Sequence, residues 1–189
     1  MTDLLARAIY AARLGLPAPA APTYPQESAV LITLNPGAYT VIVEGVGEST
    51  GIALVSVNDL DNLSAAGRLV NISTRADAST SGDEQVIAGF IIQGGSKKVL
   101  LRGFGPGLAS AGVAGALSDP EMTLFSGSSA VVSNDDWGSS AEANAIGSLD
   151  KGTLQTKESA IYRQLGEGAY TVIMHGKTLA EVGLIAVDE

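Results

Sequence analysis

Residues 158–176 read ESAIYRQLGEGAYTVIMHG and align without a gap on residues 27–45, ESAVLITLNPGAYTVIVEG. The two stretches share ESA, GAYTVI and a final glycine in register, which indicates an internal repeat. After a one-residue insertion, GIALV at 51–55 aligns with GLIAV at 183–187. Because each copy holds three short apolar runs separated by turn residues, we predict that each forms a three-stranded antiparallel meander.

The sequence between and around the two copies has the pattern of an all-β protein. From residue 27 onward, short runs rich in Val and Ile alternate with Gly, Asn, Asp and Ser, and only 107–118 has a locally helical composition. The predicted strands are 28–34, 38–46, 51–59, 68–74, 86–92, 97–104, 121–126, 129–134, 159–165, 168–176 and 181–187. Tight hairpins are expected at Asn35-Pro36-Gly37, Gly127-Ser128 and Gly166-Glu167-Gly168. Hairpin-length connections favour a two-layer antiparallel β-sandwich over a parallel α/β sheet.

The repeat also predicts the domain organisation. Only the second copy follows the strands of 68–134, so we expect one complete domain at 65–189 and a partial repeat, the extra meander, at 27–64. Residues 1–26 are predicted to form a short helix followed by a stiff proline-rich linker. The apolar stripe of that helix would consist of Leu5, Ile9 and Leu16.

The partial repeat is expected to carry an uncovered apolar face. Its core-type residues include Val30, Ile32, Val41 and Val43. Burying roughly 500 Å² of such surface contributes on the order of 10 kcal/mol. The cover could be the chain's own helix or a neighbouring subunit. Because the helix is short for this task, we predict head-to-tail packing of the 1–60 region on the next subunit, which yields a homo-oligomer or homopolymer.

Composition and charge exclude several classes of protein. A net charge of −9 argues against binding to nucleic acid. The absence of Cys removes thiolate metal sites and Cys nucleophiles, and the single His175 leaves no multi-histidine site. No apolar run reaches the roughly 18 to 20 residues that span a bilayer, so no membrane span is expected.

Three stretches carry a resemblance to a known family. They are LVNISTRADASTSGDEQVIAGFIIQGG, KKVLLRGFGPGLASAGVAGALSDPEMTLFSGSSAVVSNDDWG and GAYTVIMHG. Together they resemble a tandem β-sandwich repeat of large secreted and cell-surface bacterial proteins, and the C-terminal half is similar to the pre-peptidase C-terminal domain. The resemblance implies an extracellular or cell-surface, non-catalytic, jelly-roll-like module for attachment, targeting or assembly. The helix and linker at the N-terminus depart from a simple tandem array.

The loop after the strand at 129–134 is the candidate metal site. Asn134, Asp135 and Asp136 offer clustered hard oxygen atoms of the kind that bind Ca²⁺, and the corresponding loop binds calcium in some similar domains. The alternative is an Asx-rich turn that caps its own backbone. The neighbouring Trp137 is either a platform for sugar stacking or an anchor in the core, the latter being favoured.

The remaining motifs do not favour catalysis. Gly103, Gly105 and Gly107 follow a strand, but Leu108 stands where a dinucleotide fingerprint needs glycine. His175 replaces Glu44 of the first copy, which favours a solvated strand position over a catalytic base. We therefore expect no enzyme.

Two function classes remain. The first is an extracellular structural subunit of a filament, sheath or surface matrix. The second is a non-catalytic module that directs a secreted enzyme or adhesin to polysaccharide or another cell-surface component. The second needs a row of exposed aromatic residues, whereas aromatics make up 5% of the chain, so it ranks lower.

Overall fold

The computed structural model describes residues 3–5, 28–45, 47, 51–59, 67, 69–78, 85–150, 152–177 and 181–189. The chain divides into two compact units, Met1–Leu69 and Val70–Glu189. The helices in the described part of the chain are too short and too polar to cross a membrane.

The unit Val70–Glu189 is built from two four-stranded antiparallel sheets. Its strands are β3 (Asn71–Ala78), β4 (Val86–Ile92), β5 (Lys97–Phe104), β6 (Pro120–Ser126), β7 (Ser129–Asn134), β8 (Ser159–Leu165), β9 (Gly168–Gly176) and β10 (Glu181–Asp188). One sheet has the order β3-β10-β5-β8 and the other has the order β4-β9-β6-β7. The all-β class is confirmed, and every strand predicted after residue 65 is present.

A single apolar cluster draws on both sheets. Alternate residues of the strands point into it, as the period of two along a strand requires. Leu101 and Ile185 come from one sheet, and Met122, Leu124 and Val172 come from the other. Each of these side chains is almost completely buried. The cluster therefore ties the two sheets to each other through the hydrophobic effect.

The described residues of this unit also form two helices and one 3-10 turn. They are α1 (Pro106–Ser110), a 3-10 turn (Trp137–Ser139) and α2 (Ala143–Asp150). The helical composition of 107–118 therefore yields one short helix. The sequence reasoning missed α2, because Ile146 is its only buried apolar residue and gives almost no periodic signal.

Ionic and polar contacts fix the end of α2 against the sheet. The side chain of Asp150 is 2% exposed and accepts hydrogen bonds from Thr153, from the Leu154 amide at 2.7 Å and from Arg102 at 3.2 Å. Burial alone would raise the pKa of Asp150, but the hydrogen bonds from Thr153, Leu154 and Arg102 together lower it. Arg102 also contacts Asp188 at 2.9 Å, so the guanidinium links α2 to β10.

The three strands of the second repeat copy do not form a meander. β8 pairs with β5, β9 pairs with β4 and β6, and β10 pairs with β3 and β5. Among the described residues, none of the three pairs with another. The predicted meander and the predicted hairpin at Gly166-Glu167-Gly168 are therefore wrong, since the chain crosses between sheets there. The predicted hairpin at Gly127-Ser128 does join β6 to β7, with Gly127 at φ +58°.

The residues of the unit Met1–Leu69 that the structure describes contain far less regular structure. A short parallel pair joins β1 (Asp3–Leu5) to β2 (Thr40–Ile42). At residues 3–5 the predicted helix is therefore wrong. We attribute the strand to the open edges of β2, whose unpaired backbone groups find partners by adding β1. The remainder of the predicted helix and linker, with Ile9 and Leu16, lies outside the described residues.

The first repeat copy does not form three strands. Of the predicted strands 28–34, 38–46 and 51–59, only Thr40–Ile42 lies in a strand. The pairing pattern of the second copy gives the reason. Strands of this kind hydrogen-bond to strands outside the repeat and not to one another, so the first copy by itself lacks the partners that would complete a sheet.

Candidate functional site

The second repeat copy is anchored by a buried carboxylate at its start. Glu158 is fully buried, and its carboxylate accepts hydrogen bonds from the backbone amides of Gly105 at 3.2 Å, Gly107 at 2.7 Å and Gln155 at 2.6 Å. Glu158 therefore binds the segment that runs from the end of β5 into the first turn of α1. A charged acceptor with three amide donors is a strong anchor for a buried segment.

Gly105 and Gly107 of that segment are needed for close packing. A Cβ on Gly107 would lie 2.7 Å from Glu158 Oε1, and a Cβ on Gly105 would lie 2.3 Å from the Leu117 carbonyl oxygen. We did not expect Gly103, Gly105 and Gly107 to bind a dinucleotide. The structure shows the amides of Gly105 and Gly107 bound to the carboxylate of Glu158.

The first repeat copy keeps part of the same local geometry. The Tyr170 hydroxyl donates to the Gly166 carbonyl oxygen at 3.2 Å, and the Tyr39 hydroxyl donates to the Asn35 carbonyl oxygen at 2.8 Å. Both tyrosines therefore close the turn that precedes them through a bond to the fourth residue upstream. This feature is local, so it forms in both copies.

The exposure of the apolar residues differs sharply between the copies. Val41 is 50% exposed, whereas its equivalent Val172 is 0% exposed. Leu54 is 94% exposed. The predicted interface residues Val30, Ile32 and Val43 are exposed as well. Leu5 lies in β1, and Ile9 and Leu16 lie outside the described residues. We call residues 27–57 the N-terminal copy, and its exposed apolar side chains form the first candidate site.

The second candidate site is an acidic cluster at one end of the sheet that contains β6 and β7. Carboxylate oxygens of Asp119, Asp135 and Asp136 lie within 4.8 Å of one another. The Lys177 ammonium contacts Asp119 at 3.0 Å and Asp135 at 2.6 Å, and Lys157 contacts Asp136 at 3.1 Å. The hydrogen bonds that Lys177 donates to Asp135 and Asp119 raise the pKa of Lys177, and the hydrogen bond that Lys157 donates to Asp136 raises the pKa of Lys157.

The cluster includes only part of the predicted calcium site. Asp135 and Asp136 lie in it, but both ends of the Asn134 side chain bond to the backbone, with Oδ1 accepting from Ala160 at 2.8 Å and Nδ2 donating to the Asp136 carbonyl at 3.1 Å. Oδ1 of Asp119 and Oδ1 of Asp135 are buried without a hydrogen-bond partner among the described residues. The arrangement can hold a hard cation or the two lysines, and calcium binding stays a prediction.

Sequence reasoning missed Asp119, because only tertiary structure brings it to the loop. It immediately precedes β6, and the β6–β7 hairpin, in which Met122 pairs with Asn134, places the start of β6 beside the end of β7. Asp before Pro120 at a strand start is a weak signal in the sequence alone.

Trp137 packs against the protein interior and forms a hydrogen bond to the backbone. Its indole N–H donates to the Gln155 carbonyl oxygen at 2.9 Å, its ring lies 3.6 Å from the position of a Cβ on Gly147, and it packs on the small core cluster that contains Ile146. His175 lies on β9 opposite Glu121, a half-buried strand position.

Comparison with known proteins finds no matching family model, no matching curated protein and no matching solved structure. The resemblance to secreted bacterial β-sandwich repeats therefore stays a prediction.

Proposed function

We propose that this protein is a non-enzymatic structural subunit of an extracellular or cell-surface assembly, in which a neighbouring protein chain covers the N-terminal copy. The observation that supports it is the contrast in burial between the two repeat copies, with Val41 half exposed and Val172 fully buried. Segments that are buried strands in one place and exposed in another are strong candidates for an interface. In this proposal the two sheets of the unit Val70–Glu189 form a jelly-roll-like sandwich, which the shared apolar cluster supports.

The predicted form of the assembly is a head-to-tail homopolymer such as a filament, sheath or matrix. Such an assembly needs two different apolar surfaces on one chain. The N-terminal copy supplies one of them. Ile87, Ile91 and Val131 supply exposed apolar side chains on β4 and β7, the two edge strands of one sheet. These strand edges are also open to further pairing.

The test measures self-association of the full-length chain by light scattering over a wide concentration range, together with electron microscopy. We expect concentration-dependent growth that Val41→Asp suppresses, because the substitution puts a charge into the proposed interface. Asp77→Asn, at an exposed position of β3 outside the N-terminal copy, is the control that should leave association intact. A chain that stays monomeric at every concentration would contradict the homopolymer.

A further inference from the structure

We infer that the N-terminal copy donates strands to a partner chain that presents a vacant set of strands equivalent to β3–β7. This inference rests on the proposed assembly function, because it names the chain that covers the N-terminal copy. The partner is identified by its structure: a β-sheet domain that lacks its own last three strands.

The first argument is the pairing of the second repeat copy. Every hydrogen-bonded neighbour of β8, β9 and β10 is β3, β4, β5 or β6. A second copy of these strands therefore cannot satisfy its backbone by pairing within itself in the same way. It needs another set of strands of the same kind.

The second argument is which residues the N-terminal copy retains. It has Glu27, Ser28 and Ala29 where the second copy has Glu158, Ser159 and Ala160, all three of them fully buried. The apolar exchanges at other buried positions are conservative, with Val30 for Ile161 and Val43 for Met174.

The large changes occur at outward positions of the strand. Arg163 and Gln164 are exposed, and the N-terminal copy has Ile32 and Thr33 there. The two copies therefore have similar residues at the positions where β8 and β9 pack on the rest of the domain. They have different residues at the positions where β8 faces outward. The carboxylate of Glu27 would take the place of Glu158 on the amides of a glycine-rich loop.

The third argument is the number of strands available. The described part of the chain holds one set equivalent to β3–β7, and β8–β10 already fill it. Two repeat copies compete for one set, so an exchange of strands among copies of this chain always leaves one repeat copy per chain without a set to enter. A partner chain with a vacant set of strands could pair with the N-terminal copy. The unit Val70–Glu189 would keep β8–β10 and therefore its own fold.

The test uses the full-length chain as donor and residues 70–157 of the same sequence, which lack β8–β10, as the acceptor probe. The two are co-expressed, and the acceptor is measured in the purified donor by mass spectrometry. We expect one-to-one capture, and Val41→Asp in the donor should reduce it at least about tenfold, because a buried unpaired charge is costly. The donor control, Asp77→Asn at an exposed position of β3 outside the N-terminal copy, should capture normally.

The register of capture is tested by disulfide formation, since the protein has no Cys of its own. Lys98 pairs with Gln164, so Thr33 of the donor should lie opposite Lys98 of the acceptor. Thr33→Cys in the donor and Lys98→Cys in the acceptor should form a disulfide, because paired residues in adjacent strands have suitable spacing. Thr40→Cys, equivalent to a residue of the other sheet, should not form one with Lys98→Cys.

The outcomes separate this inference from the proposed function. Capture with the Thr33–Lys98 disulfide supports strand donation whether or not the chain associates with itself. Self-association that depends on Val41, without capture of the acceptor, overturns strand donation and leaves the assembly function standing. Capture that persists with Val41→Asp or forms the wrong disulfide overturns the inference, because another surface is then responsible. A chain that neither captures the acceptor nor associates with itself overturns both.

Discussion

Residues 28–57 and residues 159–188 have related sequences and different structures. In the second region, three strands with buried apolar residues belong to two sheets, and among the described residues of the first region only Thr40–Ile42 forms a strand. The turn closed by Tyr39 matches the turn closed by Tyr170, so local geometry is shared. What differs is the supply of partner strands. The comparison shows that the sequence of a segment specifies which of its residues are apolar and how its local turn forms. Whether the segment pairs as a strand depends on the rest of the domain.

The largest effect is expected from matched valine substitutions. Val172→Asp places a carboxylate in the core shared by both sheets and should destabilise the unit Val70–Glu189 by about 5 kcal/mol or more. Val41→Asp lies at an exposed site and should change the free energy of unfolding by less than about 0.5 kcal/mol. Urea denaturation followed by the fluorescence of Trp137, the only Trp, measures both.

The result also probes whether the N-terminal copy is covered. If Val41→Asp destabilises the isolated chain as strongly as Val172→Asp, the N-terminal copy is buried within the monomer. The contrast between the two regions would then be wrong.

A smaller effect is expected from the two equivalent glutamates. Glu158→Gln keeps the shape but replaces a charged acceptor of three amide bonds with a neutral one, and it turns an NH₂ group toward a backbone donor. We expect a loss of about 2 to 3 kcal/mol in the free energy of unfolding. Glu27→Gln should have no measurable effect on the isolated chain. Equal effects of both changes in chemical denaturation would show that Glu27 already has a buried partner.

Calcium tests a feature for which the N-terminal copy has no counterpart. If the cluster of Asp119, Asp135 and Asp136 binds Ca²⁺, the ion should stabilise the unit Val70–Glu189 by about 1.4 kcal/mol at a tenfold excess over the dissociation constant. Differential scanning calorimetry in calcium and in chelator measures this shift, and Asp135→Ala should abolish it. Lys177→Gln should enlarge it, because the ammonium competes for the same oxygens. Identical melting temperatures in calcium and in chelator would contradict calcium binding. Lys157 and Lys177 would then be the counterions of the three aspartates.

The smallest effect is expected from the two tyrosines. Tyr170→Phe removes a hydrogen bond to Gly166 at the partly exposed start of β9 and should cost about 0.5 to 1 kcal/mol. Tyr39→Phe removes the equivalent bond in a segment with little tertiary packing, so the unfolding midpoint should not change. Urea denaturation of both variants measures this difference. If Tyr39→Phe shifts the unfolding midpoint as much as Tyr170→Phe does, Tyr39 is coupled to the folded unit.

Much of the unit Val70–Glu189 was predictable because its strands have strong local signals. Runs such as VIAGFII at Val86–Ile92 and KKVLLRGF at Lys97–Phe104 were predicted with the bounds that the structure shows. The order of the strands was not predictable from spacing, because short connections serve hairpins and crossings between sheets alike. Helix α2 was missed because a single buried residue, Ile146, gives no pattern.

The acidic cluster could likewise be predicted only in part from the sequence. The loop with Asp135 and Asp136 could be found from clustered oxygen ligands in the sequence. Asp119 could not, because it reaches the loop only through the β6–β7 hairpin. Asn134 was included on composition, but its side chain binds the backbone of Ala160.

The all-β class, the approximate positions of the strands after residue 70 and the existence of two repeat copies could be read from the amino-acid sequence. These follow from the alternation of side chains along a strand and from local turn chemistry, which depend on neighbours in the chain. The three-dimensional fold was needed to show that β8, β9 and β10 are divided between two sheets, that Glu158 binds the amides of Gly105 and Gly107, and that only Thr40–Ile42 of the described part of the N-terminal copy is paired. The physical reason is that strand pairing and carboxylate binding join residues far apart in the chain, so the same short sequence has a different structure where those partners are missing.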